Sequence, residues 1–94
     1  MATDDFEWDE AKAAENCARH GITFETAIQA FDDPFAIERL DGREDYGEER
    51  YCILGIVDGR LLYVAYTVRE GITRIISARG AEPYERRQYH EDNT

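Results

Sequence analysis

Two dipeptides, Asp58-Gly59 and Glu70-Gly71, divide the second half of the chain into three β-rich runs of similar length, and this punctuation leaves few folds open. Asp-Gly between alternating apolar residues is a strong two-residue hairpin signal, because a type I′ turn needs positive φ at both central positions. The runs Arg50 to Val57, Leu61 to Arg69 and Ile72 to Arg79 are therefore expected to form an antiparallel meander. In the middle run Leu62, Val64, Tyr66 and Val68 occupy one parity and Leu61, Tyr63 and Ala65 the other. A strand apolar on both parities is predicted to be central and covered on both faces.

Helical patterns flank the meander. Asp5 to Trp8 reads as a brief edge strand or packed lead-in, after which Asp9 caps a helix with Glu10 in its first turn, Arg19 and His20 in its last, and Gly21 beyond its end. At 100° per residue Ala11, Ala14, Cys17 and Ala18 fall on one side, the expected buried face. Lys12, Asn16, Arg19 and His20 line the other. Thr23 caps a second helix in which Phe24, Ala27, Ile28 and Phe31 keep the spacing of a buried stripe until Asp32-Asp33-Pro34 stops it. Phe35 to Leu40 suits a strand, and 41–49 reads as an acidic loop and the most mobile segment. Pro83 opens a last helix through His90, after which the chain frays. The expectation is one α+β domain over residues 1–94, with two N-terminal helices, a small antiparallel sheet and a C-terminal helix.

Charge narrows the function classes. The net charge is −10, unfavourable for phosphate binding, but residues 1–49 carry −11 and residues 50–94 carry +1, with Arg as the only strong base in the second half. A local Arg cluster inside an acidic shell fits capture of an anion at one place. Arg69 ends the middle run, and Arg74 and Arg79 stand on the next. Being five apart, those two point to opposite faces of a regular strand unless a bulge intervenes, so one shares the face of Arg69, and Arg79 at the strand end is the choice. The alternative is three ordinary surface arginines paired with carboxylates. Cys17 and Cys52 read as buried reduced thiols, and with two His and no Cys-x-x-Cys neither a metal site nor a cofactor is implied. No apolar run is long enough to span a membrane and the acidic start is unlike a secretory signal, so the cytoplasm is the expected location.

Several blocks then carry a resemblance. Phe6-Glu7-Trp8-Asp9-Glu10, Lys12, Asn16, Arg19-His20-Gly21-Ile22, Phe24, Ala27, Asp33-Pro34, Gly47-Glu48-x-Arg50, Tyr66-Thr67-x-Arg69, Arg74-Ile75-Ile76-Ser77-Ala78-Arg79, and Glu85-Arg86 with Tyr89 resemble the BrnT toxin family over about residues 6–89. The resemblance implies a bacterial type II toxin with a RelE-like fold that acts as a metal-independent ribonuclease without cofactor. It also implies neutralisation by a BrnA-type antitoxin with a ribbon-helix-helix domain, through which alone the complex would bind operator DNA. By the same resemblance Arg69 and Arg79 are the arginines associated with activity, with Lys12 and His20 as basic positions of the first helix. Arg50, Glu85 and Tyr89 match motif positions assigned to substrate binding or to architecture, Tyr89 as a ring to stack on a base. The family commonly has Lys where this chain has Arg19, and Arg does not exchange protons in proteins. The rival from another class is a non-catalytic module that keeps the antitoxin contact.

Overall fold

The computed structural model describes residues 5–45 and 48–94, without the side chains of 42–45. The chain order is β1 (Phe6–Glu7), α1 (Glu10–His20), α2 (Phe24–Ala27) continuing as a 3-10 turn (Ile28–Asp32), β2 (Ile37–Asp45), β3 (Glu48–Val57), β4 (Arg60–Arg69), β5 (Ile72–Gly80) and α3 (Pro83–Asp92). The sheet order is β1-β5-β4-β3-β2. Asp58 and Gly59 have φ of 51° and 80°, and Glu70 and Gly71 have 52° and 80°, so both expected turns carry positive φ at both central residues. The sheet is not wholly antiparallel, however. β1 pairs with β5 in parallel, Phe6 opposite Thr73 and Glu7 opposite Arg74. The segment 41–49 is not a loop either: β2 runs to Asp45 and β3 begins at Glu48, with Tyr46 and Gly47 outside the described residues.

β4 is covered on both faces, as its double apolar parity requires. One face packs Leu62, Val64 and Tyr66 with Ile53, Ile75 and Ala78 beneath Phe24, Ala27 and Ala30 of α2 and its 3-10 continuation. The other packs Leu61 and Tyr63 with Leu54 against Ala81, which precedes α3, and Tyr89 of α3. At Gly55 the 3-10 turn lies directly on β3, where a β-carbon would stand 2.5 Å from the Ala30 carbonyl oxygen. Among the described residues no helix is long and apolar enough to cross a membrane.

The face of α1 is reversed from the amphipathic reading. Asp9 caps the helix as expected, its Oδ1 accepting from the N–H groups of Ala11 (2.8 Å) and Lys12 (3.2 Å), and Gly21 closes it at φ 71°. Yet Ala11, Ala14, Cys17 and Ala18 are exposed, so Cys17 is not the buried thiol expected, whereas Cys52 is. The buried residue of α1 is Asn16. Its Nδ2 donates to the Ala78 carbonyl (2.9 Å) and the Ile22 carbonyl (3.1 Å), and its Oδ1 accepts from the Ala78 N–H at 3.1 Å. The physical reason is the sheet edge. β1 is too short to pair with β5 beyond Arg74, so the backbone groups at Ala78 need polar partners, and an amide side chain supplies both a donor and an acceptor.

Candidate active site

The edge contact at Asn16 sets the position of Lys12 one turn earlier and His20 one turn later, because residues four apart share a helix face. The basic stripe of α1 consequently overlooks β5. A pocket of about 240 Å³ is lined by Lys12, Glu15, Asn16, Arg19, His20, Ile76 and Ser77. A smaller pocket of about 70 Å³ adjoins it, sharing Lys12 and Ile76 and adding Glu48, Arg50, Thr67, Arg69 and Arg74. Together they form a groove supplied by α1, β3, β4 and β5.

A β-bulge makes this possible. Ala65 pairs with Ser77 and Tyr66 with Ile75, so Ile76 is the extra residue on β5. Before the bulge Arg74 lies opposite Thr67, and after it Arg79 lies opposite Tyr63. Thr67, Tyr63 and Arg69 share one parity of β4, so all three arginines stand on the same face. Arg74, rather than Arg79, is the neighbour of Arg69. Arg79 pairs six residues away along β4, about 20 Å at the rise of a strand. The expected convergence of Arg69 with Arg79 is therefore absent.

Arg79 is engaged elsewhere. Its guanidinium donates in parallel to both carboxylate oxygens of Glu85 (2.8 and 2.9 Å) and sits 4.2 Å from the centre of the Tyr63 ring. Glu85 is 3% exposed and also accepts from the Glu82 N–H at 2.8 Å, which fixes the start of α3. Burial pushes the Glu85 carboxyl upward, but the hydrogen bonds from Arg79 and from the Glu82 N–H, with the charge of Arg79, together outweigh it and hold the group below the ordinary carboxylate range. Tyr89 is buried against the sheet, and its hydroxyl donates to Asp33 Oδ2 at 2.6 Å. Burial and that bond push its phenol up to about 12. Its ring is packed into the core and is not exposed for stacking on a base. Arg79, Glu85 and Tyr89 thus anchor α3, away from the groove.

Within the groove the cations differ in their engagement. Arg69 grips Glu48 with two bonds, Nε to Oε2 and Nη2 to Oε1, each 2.6 Å. Those bonds hold the Glu48 carboxyl below its ordinary range. Arg74 donates to Glu7 Oε2 at 2.9 Å. Among the described residues Lys12 and Arg50 have no carboxylate partner, and the Nε of Arg50 is buried without a hydrogen bond. Thr67 closes the floor by donating from Oγ1 to the Glu49 carbonyl at 2.8 Å. Among the described residues no cluster of His, Cys, Asp and Glu is arranged to hold a metal ion.

The model of a protein family, the ribonuclease toxin BrnT of type II toxin-antitoxin systems, matches residues 8–85. The chain belongs to the BrnT toxin family. No curated protein matches it. The family match spans α1 through the start of α3 and so contains every residue that lines the groove. As a BrnT toxin it belongs with ribonucleases whose partner is an antitoxin. For this BrnT chain the structure brings together Lys12, His20, Arg50 and Arg69 of the sequence-derived candidates and leaves out Arg79, Glu85 and Tyr89. Sequence reasoning weighed Arg74 but chose Arg79 in its place, and it did not single out Glu48 or Thr67. All three lie in the blocks that resemble the family, but a one-residue bulge has no signature that period-2 reasoning detects.

Proposed function

We propose that this toxin is a metal-independent endoribonuclease that cleaves RNA by attack of a ribose 2′-hydroxyl on the adjacent phosphate, and so arrests translation and growth. The observation that carries the reading is the gathering of Lys12, Arg50, Arg69 and Arg74 around one pocket in a chain of net charge −10. Lys12 and Arg50 line the pocket with no carboxylate partner among the described residues and stand ready for a phosphate oxygen. The guanidinium of Arg69 then stabilises the charge that grows on phosphorus oxygens in the transition state, a role that otherwise falls to a divalent cation. His20, in the adjoining pocket, is the candidate proton-transfer group. Arg79 acts as a positioning residue through Glu85, and Tyr89 through Asp33.

The arrangement of helices around a small sheet supports the RelE-like assignment, and the expected partner is a BrnA-type antitoxin with a ribbon-helix-helix domain that alone contacts operator DNA. Purified toxin incubated with single-stranded RNA in excess chelator tests the proposal. Products ending in cyclic phosphate and 5′-hydroxyl are expected, with Arg69→Ala losing cleavage and growth inhibition while remaining folded. Intact RNA at high protein concentration favours instead a non-catalytic antitoxin-binding module, a reading to which the engagement of Arg69 by Glu48 lends support.

A further inference from the structure

We propose that Glu48 is the general base of the cleavage reaction, a role that rests on the ribonuclease reading above. The chain has 21 Asp and Glu residues, too many for sequence to single one out. The pocket does so. Among the described residues Glu48 is the carboxylate that shares it with Lys12, Arg50, Arg69 and Arg74. Glu15, in the adjoining pocket, pairs with Arg19 on a side chain 69% exposed, where solvent competes for it.

The chemistry requires a base beside the phosphate, because the attacking 2′-hydroxyl is on the ribose that carries the scissile phosphodiester. Cations that hold that phosphate therefore bring the hydroxyl to whichever base lines the same pocket. The Glu48 carboxylate is ionised at neutral pH, and Arg69 fixes its plane through both oxygens. That pairing uses one lone-pair site on each oxygen and leaves another on each to accept a proton. Its side chain is 31% exposed, so a ribose can reach it. In the reaction the O2′ proton passes to Glu48, the O2′–P bond forms, the P–O5′ bond breaks, and the departing O5′ takes a proton from water. Glu48 returns its proton to water before the next turnover.

The test is single-turnover cleavage of a single-stranded RNA by the full chain in chelator, across about pH 3 to 8, for wild type, Glu48→Gln and Glu48→Asp. Glu48→Gln is expected to lose at least about 100-fold in rate while binding a 2′-deoxy-substituted, uncleavable oligonucleotide at least as tightly as wild type. Wild type is expected to slow in acid as Glu48 protonates, and Glu48→Asp to recover part of the rate with that acid limb displaced. A Glu48→Gln enzyme as fast as wild type or faster overturns the proposal, since the carboxylate would then merely occupy Arg69. So does parallel loss of binding and cleavage, which marks a structural role. A wild-type protein that cleaves no RNA defeats the ribonuclease reading itself, an outcome distinct from either.

Discussion

Replacing Asn16 with Leu removes an amide that serves three backbone groups while keeping most of the side-chain volume. Two of those groups, the N–H and C=O of Ala78, belong to a residue with 0% exposure at the edge of β5, and Asn16 itself is 7% exposed. An orphaned buried backbone group costs about 1–3 kcal/mol, so the pair at Ala78 sets a loss of roughly 4 kcal/mol. For a domain of this size each 1 kcal/mol shifts the melting temperature by roughly 4–8 °C, and urea denaturation with a parallel thermal scan measures both. Asn16→Asp provides the internal check. A carboxylate can accept from the Ala78 N–H, but its other oxygen would face the carbonyls of Ala78 and Ile22 unless it holds a proton. The folded-state pKa of that Asp is then raised, so its deficit relative to wild type should be smallest below about pH 4 and widen as pH rises. A loss under about 1 kcal/mol for Asn16→Leu, or a deficit for Asn16→Asp that is flat with pH, would refute the edge-pairing account.

Arg79→Ala should destabilise the fold by about 3 kcal/mol, because it leaves the Glu85 carboxylate buried without its partner. Glu85 is depressed in the wild type, so the stability it contributes is present above about pH 4.3 and lost as pH falls through its folded value; the wild-type advantage over Arg79→Ala should therefore narrow in acid urea titrations. Lys12→Ala and Arg50→Ala should each weaken binding of a 2′-deoxy-substituted RNA and reduce the slope of log affinity against log salt by about 0.7, read by fluorescence anisotropy; an unchanged slope would place phosphate elsewhere. Gly55→Ala should cost about 1–3 kcal/mol by pressing β3 away from the Ala30 carbonyl, visible as a lower urea midpoint with an unchanged slope.

Much of the scaffold is local in origin and was legible for that reason. The Asp58-Gly59 and Glu70-Gly71 turns, the Asp9 and Thr23 caps, the stop at Gly21 and the double apolar parity of β4 each depend on a few neighbouring residues whose backbone preferences act alone. The same local signals placed Lys12 and His20 on one stripe of α1, and Arg50 and Arg69 on the meander.

What the chain could not announce was which partner each stripe would meet. A helix whose small apolar side is exposed and whose Asn is buried contradicts the amphipathic pattern, and only the unpaired edge of β5, a feature of the assembled sheet, makes that orientation favourable. The bulge at Ile76 is likewise a property of pairing between strands. It turns Arg74 and Arg79 onto one face, after which distance along the sheet sends Arg74 to the groove and Arg79 to Glu85. Sequence by itself determined the elements, because short-range torsional and burial preferences suffice for them. The site was decided by tertiary structure, because register, edge satisfaction and the choice of ion-pair partner exist only once distant segments are brought together.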